Sequence, residues 1–244
     1  PIPTEIIDMP HGSALPTFPN KKSILLASLL IGLLLPAVVL FIKESLNTTV
    51  RGKIDIEART QLPIIGEIPL YNDGKRKIKL PKLSLGKKKQ QRETPQLVVQ
   101  HDNQNAINEA FRILRSNLEF MTDTPQRKNV FLVTSMYAGS GKSFVSMNLA
   151  LTLAIKHRRV LFVDGDMRRA TATRTFGNMQ VGLADYLGEK VDSADSVIYQ
   201  HREYPSLDII PVGTTPPNPT ELLSGPRMRQ LLDEMRPHYD FILI

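Results

Sequence analysis

The sequence predicts an α/β domain, a doubly wound and mostly parallel sheet, joined through a basic linker to one transmembrane helix. Three observations carry that expectation. After residue 105, short apolar runs alternate with segments of helical period, the pattern of strands crossed over by helices. One of these runs feeds a glycine-rich loop that opens a helix. A stretch of 20 uncharged residues precedes all of this.

The uncharged stretch, residues 23–42, reads SILLASLLIGLLLPAVVLFI. At about 1.5 Å per residue it matches a hydrocarbon core of about 30 Å. Lys21, Lys22 and Lys43 bracket it and can snorkel to the headgroups, so the span is placed at residues 21–43. Pro36 inside it is better tolerated in a membrane than in water. A secretory signal would be shorter and would end in a small-residue cleavage site, whereas Phe41-Ile42-Lys43 stand here. Lys43, Arg51, Lys53 and Arg59 outweigh Lys21 and Lys22, which puts the C-terminal side in the cytoplasm. Residues 1–20, with Pro1, Pro3, Pro10, Pro16 and Pro19, are then an extracytoplasmic, extended stub.

Charge locates the linker. The chain of 244 residues carries a net +7, and all of it lies in residues 43–99, with 13 Lys/Arg against 6 Asp/Glu. Residues 1–42 and 100–244 are each neutral. A nucleic-acid-binding domain would carry its excess on the folded domain, so no nucleic-acid partner is expected. Residues 44–99 are read as a juxtamembrane linker. Its basic core, residues 75–92, holds nine Lys/Arg and no acid. Such a run adheres to anionic lipid headgroups at about 1 kcal/mol per residue near the surface. There is no cysteine, which excludes disulfides, thiolate metal sites and cysteine nucleophiles.

The globular domain is expected over residues 100–244. Ile107, Ala110, Phe111, Leu114, Leu118 and Met121 follow helical spacing. Strands are predicted at residues 129–134, 159–164, 207–212 and 239–244. A second helix carries Phe144, Val145, Met147, Leu149, Leu151 and Ile155. Between the first strand and this helix lies Ser135-Met136-Tyr137-Ala138-Gly139-Ser140-Gly141-Lys142-Ser143. Gly139 and Gly141 allow backbone N–H groups to turn toward phosphate oxygens, and the helix start adds its positive dipole end. The loop from Ala138 to Ser143 is therefore the expected nucleotide-binding element of a P-loop NTPase. Lys142 would reach the β- and γ-phosphates and Ser143 would ligate Mg²⁺. Met136 replaces the usual first glycine of the pattern, but the phosphate-contacting end is intact. Asp164-Gly165-Asp166-Met167-Arg168 ends the next strand. Carboxylates just past a parallel strand lie on the edge where such sheets bind ligands, facing the phosphates and their Mg²⁺.

With these motifs in hand, the chain resembles the bacterial tyrosine kinases fused to polysaccharide chain-length regulators. Residues 135–143 resemble the family's first Walker motif, and Val163-Asp164-Gly165-Asp166-Met167-Arg168 its more distinctive second motif. Glu109, Arg112 and Arg115, three residues apart, resemble its subunit-contact motif. Gly182-Leu183 with Asp185 and Leu187 is similar as well, as is Pro216-Pro217-Asn218-Pro219 with Glu221-Leu222-Leu223. So are Pro16 with Pro19-Asn20-Lys21-Lys22 before the span and residues 62–69 after it. The family's third motif, a metal-binding aspartate followed by Ser/Thr-Pro-Pro, is expected beyond Ile244 together with a tyrosine-rich tail. Residues 1–244 alone are accordingly expected to be a poor kinase.

The resemblance implies transfer of the γ-phosphoryl group of ATP, with Mg²⁺, to tyrosine on a neighbouring subunit. Lys142, Asp164 and Asp166 are the expected catalytic residues, and Ser143, Asp164 and Asp166 the expected metal shell. Asp164 is expected to accept the tyrosine proton and Asp166 to act on the metal, though the two roles could be exchanged. Arg168 is expected to pair with nearby acids. Glu109, Arg112 and Arg115 would contribute an oligomer interface in a ring-like assembly. Implied partners are the machinery of polysaccharide synthesis and export and a cognate tyrosine phosphatase, at the bacterial inner membrane. Two other functions compete. One is a polysaccharide chain-length scaffold switched by nucleotide without kinase activity. The other is a partitioning-type ATPase, which carries a lysine where this loop has Tyr137.

Overall fold

Helical propensity, apolar periodicity and strand alternation resolve into eight α-helices, one 3-10 turn and five strands among the described residues. The computed structural model describes residues 20–47, 52–71, 97–100, 103–122, 129–177 and 179–244. The expected stub and the basic core at residues 75–92 lie outside these, apart from Asn20. The chain divides into Pro1–Leu62 and Pro63–Ile244.

In the first unit, α1 (Lys21–Ser45) is a continuous 25-residue helix that includes Pro36. Asn20 caps it by accepting the Lys22 N–H, and Lys43 sits in its last turn, where a cation complements the helix dipole. At 1.5 Å per residue its length is about 37 Å, and its residues are exposed throughout. By length and composition it can cross a membrane. A short helix, α2 (Lys53–Glu57), follows and carries the i, i+4 ion pair Lys53–Glu57 at 3.4 Å.

In the second unit, α3 (Ala106–Thr122) and α4 (Lys142–Ala154) are the two helices expected from periodicity. The strands β1 (Val130–Phe131), β2 (Val160–Val163), β4 (Leu207–Ile210) and β5 (Phe241–Leu243) fall within the four expected runs. A fifth, β3 (Tyr199–Gln200), pairs antiparallel with β4, and the other pairings are parallel. The strand order is β1-β5-β2-β4-β3. Helices α5 (Thr171–Phe176), α6 (Leu183–Leu187), α7 (Pro219–Ser224) and α8 (Pro226–Met235) complete the domain.

Because side chains alternate across a strand, the sheet splits the core in two. Val160, Phe162, Leu207, Ile209, Phe241 and Leu243 join Phe111, Leu114, Met147 and Leu151 of α3 and α4 on one face. Leu161, Val163, Ile210, Val212 and Ile242 join Leu183, Tyr186, Met228 and Leu231 of α6 and α8 on the other. Strands buried on both faces read as continuous apolar runs, as here.

Two stretches that composition assigns to the linker pack on this domain. Ile65 and Ile68 lie against the α3/α4 core, and Asn117 Nδ2 donates to the Ile65 carbonyl at 2.7 Å. Val98 and Val99 are buried, and both backbone N–H groups donate to Asn148 Oδ1 in the middle of α4, at 2.8 and 3.2 Å. The physical reason is apolar content. These residues lie outside the charge run, so a boundary drawn from charge at residue 99/100 cuts through core-forming segments.

Candidate functional site

The site grows from the C-terminal edge of the parallel strands. After β1 the chain enters the glycine-rich loop. Gly139 (φ 89°) and Gly141 (φ 94°) both adopt the left-handed backbone that favours glycine. A Cβ at either would meet nothing within 4 Å, so these glycines serve backbone conformation and leave open space above the loop. Ser135 Oγ and Ser140 Oγ both donate to the Tyr137 carbonyl, at 3.0 and 2.9 Å, which braces the loop from within. Gly141 is the N-cap of α4, so Lys142 is its first residue and Ser143 its second. The first N–H groups of that helix have no intrahelical acceptor and present a positive end to the loop.

The second motif follows β2, two strands away. Lys142 Nζ and Asp166 Oδ2 lie 3.0 Å apart, both partly exposed. Asp164 is 4% exposed. Its Oδ2 accepts the Thr173 N–H at 2.8 Å and the Thr173 hydroxyl at 2.7 Å, and its Oδ1 accepts the Asp166 N–H at 3.2 Å. Burial pushes the Asp164 pKa above the ordinary carboxylate value, although the Thr173 bonds oppose the rise. β5 lies between β1 and β2, so its C-terminal end reaches the same edge. There a Cβ at Gly165 would come within 3.2 Å of the Ile244 side chain.

The motif residues thus converge on one edge. Lys142, Asp166 and Asp164 form a connected group, and Ala138, Gly139, Ser140, Gly141 and Ser143 surround the helix start. Arg168 departs from expectation. It is exposed and makes no ion pair among the described residues, because the turn after Asp166 carries it outward while Met167 is buried. Thr173 carries no signal of its own in the sequence. Thr171, Thr173 and Thr175 look alike there, and Thr173 is singled out only by the fold that brings α5 against the ends of β2 and β4.

The donor set can be tested against the implied cation. Among the described residues no three His, Cys, Asp or Glu side chains gather as a metal cage. Mg²⁺ binds through one or two carboxylates, with waters and substrate phosphates completing its shell. Asp166, which meets Lys142 Nζ, and Ser143, the next residue of α4 after Lys142, fit that smaller requirement, with Asp164 two residues before Asp166.

The triplet Glu109, Arg112 and Arg115 divides. Glu109 and Arg112 are paired at 3.5 Å on the surface of α3. Arg115 turns inward, with its side chain 11% exposed, and donates to the Thr152 carbonyl of α4 at 3.4 Å while facing Glu119 at 3.7 Å. Glu221 lies in the first turn of α7, where it accepts from Asn218 Nδ2 at 2.7 Å, as a helix-start acid should. Asp185 ties together the α6 entry. It accepts from the Gly182 N–H at 3.1 Å, the Thr214 N–H at 3.0 Å and Lys190 Nζ at 3.3 Å.

Known proteins match this arrangement. The family described as an AAA domain matches residues 128–244. Tyrosine-protein kinase etk of Escherichia coli (strain K12) is 32% identical over 244 residues, which cover 98% of this chain and 33% of that protein. The chain spans about a third of the length of the curated relatives it matches. Among solved structures, the kinase domain of Escherichia coli tyrosine kinase ETK aligns with a TM-score of 0.59 at 31% identity, over 74% of this chain and 68% of that one. The chimerical protein CapA2B2 aligns with a TM-score of 0.62 at 29% identity, over 79% and 74%. The sheet, the loop and the helix it opens form the nucleotide-binding fold of a P-loop NTPase.

Proposed function

The chain belongs to the bacterial tyrosine kinases, and from that premise we propose that it is the nucleotide-binding part of a membrane-anchored protein-tyrosine kinase. The observation that carries this reading is the Lys142–Asp166 contact at 3.0 Å, which joins the phosphate loop to the second motif. The loop from Ala138 to Ser143 holds the phosphates of ATP. Lys142 neutralises charge that develops on the β- and γ-phosphoryl oxygens. Ser143 and Asp166 would hold Mg²⁺, which would supply charge screening at the phosphates, while Asp164, with Oδ2 taken by Thr173, is left to the proton.

In the transfer, the tyrosine oxygen forms a bond to the γ-phosphorus as the bond from that phosphorus to the β–γ bridging oxygen breaks, releasing ADP. Asp164 takes the phenolic proton. A carboxylate whose pKa is raised by burial is a better proton acceptor than a free one. The acceptor tyrosine belongs to a second copy of the chain, and Glu109 and Arg112 form part of the contact between copies in a ring-like homo-oligomer.

Helix α1 crosses the bacterial inner membrane and leaves the domain on the cytoplasmic side, where ATP is found. The basic core of the linker adheres to anionic lipids. The kinase acts on the machinery of polysaccharide synthesis and export, and a cognate tyrosine phosphatase reverses its action. The test is a nucleotide titration of the full-length protein. Lys142→Met should abolish ATP binding and phosphotyrosine formation together. ATP affinity equal to the parent's would remove the nucleotide assignment.

A further inference from the structure

The Asp164 carboxylate is held from outside its own strand. Thr173, the third residue of α5, donates to Oδ2 twice, through its backbone N–H at 2.8 Å and its hydroxyl at 2.7 Å. The same hydroxyl oxygen accepts the Val212 N–H at 2.9 Å, just past the end of β4. Thr173 is 5% exposed, and Val212 is fully buried.

The direction of this chain follows from the inventory of each group. An N–H can only donate, so the Thr173 oxygen must accept from Val212. Its single O–H is thereby left to point at Asp164. Two donors then occupy Oδ2. Among the described residues Oδ1 has only the longer bond from the Asp166 N–H at 3.2 Å, and so keeps capacity for another proton.

We infer that Thr173 is a positioning residue for phosphoryl transfer: the chain from the Val212 N–H through the Thr173 hydroxyl to Asp164 Oδ2 locks the carboxylate and leaves Oδ1 as the oxygen that meets the tyrosine hydroxyl. This rests on the proposed role of Asp164 as proton acceptor. The chain also couples the ends of β2 and β4 to α5, so the carboxylate's rotation is set by three elements and not by its own side-chain torsions. A reacting group displaced by about 1 Å can cost about 10²-fold in rate. Thr173→Val keeps the shape of the side chain and removes the hydroxyl. Thr173→Ser keeps the hydroxyl and removes a methyl group.

The experiment is single-turnover transfer from ATP to tyrosine in the full-length protein, read beside the KM for ATP and the melting temperature. Parent, Thr173→Val, Thr173→Ser and Asp164→Asn are compared. The expected result is a fall in transfer rate of about 10²-fold for Thr173→Val, with KM for ATP unchanged, and near-parent transfer for Thr173→Ser. Thr173→Val at the parent's rate, with Asp164→Asn slow, overturns the positioning role and leaves the proton acceptor standing. Equal losses in the valine and serine variants also overturn it, because the hydroxyl would then not be the cause. So does a rate loss that tracks a weakened ATP KM and a lowered melting temperature, since that is a fastening of α5 and nothing more. Asp164→Asn at the parent's rate removes the proton-acceptor reading and the inference together.

Discussion

Lys142 Nζ, on the first residue of α4, stands 3.0 Å from Asp166 Oδ2, two residues beyond the carboxylate that ends β2. Both side chains are partly exposed, so the pair adds little to stability, about 0–1 kcal/mol. Its meaning is positional: the proposed phosphate-binding cation and a proposed metal-shell acid share one spot. Asp166→Asn should therefore melt close to the parent without nucleotide. ATP titrations with and without Mg²⁺ should show the gain from Mg²⁺ shrinking in the variant. An undiminished gain would take Asp166 out of the metal shell.

Asp185 supplies a pH-dependent prediction. Burial raises its pKa, but the bonds from the Thr214 backbone and side chain, the Gly182 N–H and Lys190 outweigh burial and hold it below the ordinary carboxylate range. The folded value thus lies below the unfolded value of about 3.9, and the fold favours the ionised form. That stabilisation is present above pH about 4 and is lost as pH falls through the folded pKa. Asp185→Ala should cost about 1–3 kcal/mol at neutral pH, because the buried Gly182 N–H and the part-buried Thr214 N–H lose their acceptor. Denaturant melts of parent and variant should converge as the solution is acidified. A gap that stays constant to low pH would contradict the assignment.

The division of the α3 triplet separates two effects. Glu109→Ala with Arg112→Ala removes an exposed pair worth a few tenths of a kcal/mol, so the fold should persist while light scattering reports a smaller assembly. Arg115→Ala should lower the melting temperature instead, since this side chain packs between α3 and α4 and bonds the Thr152 carbonyl. An unchanged oligomer in the first variant would remove α3 from the subunit contact.

The basic core at residues 75–92 should drive binding to vesicles that contain anionic lipid. Its neutralisation should weaken binding of residues 44–244, and added salt should weaken the parent's, because exposed charges are screened beyond about 8 Å at physiological ionic strength. Equal binding to neutral and anionic vesicles would leave the run as a spacer.

The legible parts of this molecule are those whose signal is local. Four parallel strands are apolar runs because both faces are covered, and α3 and α4 carry their burial at helical period. The phosphate loop was legible because strand, glycines and helix start are contiguous in the chain. β3 was not, since two residues on an antiparallel edge leave no pattern. α8 did carry a signal, with Met228, Leu231 and Met235 on one face, but Pro226 and a polar majority mask it. Arg115 looked like its exposed neighbours because its role depends on a carbonyl 37 residues away. Thr173 acquires its partners, Asp164 and Val212, from just past the ends of β2 and β4, which meet only in the folded sheet.

The central claim is that nucleotide held at Lys142 is the phosphoryl donor and that Asp164 accepts the tyrosine proton. Single-turnover transfer from ATP to tyrosine in the full-length protein, measured beside ATP affinity, tests it most directly. The account predicts that Asp164→Asn binds ATP as the parent does and transfers about 10²–10⁴-fold more slowly, the typical worth of general-base help. Transfer by Asp164→Asn at the parent's rate, or a parent that binds ATP and forms no phosphotyrosine, would contradict it.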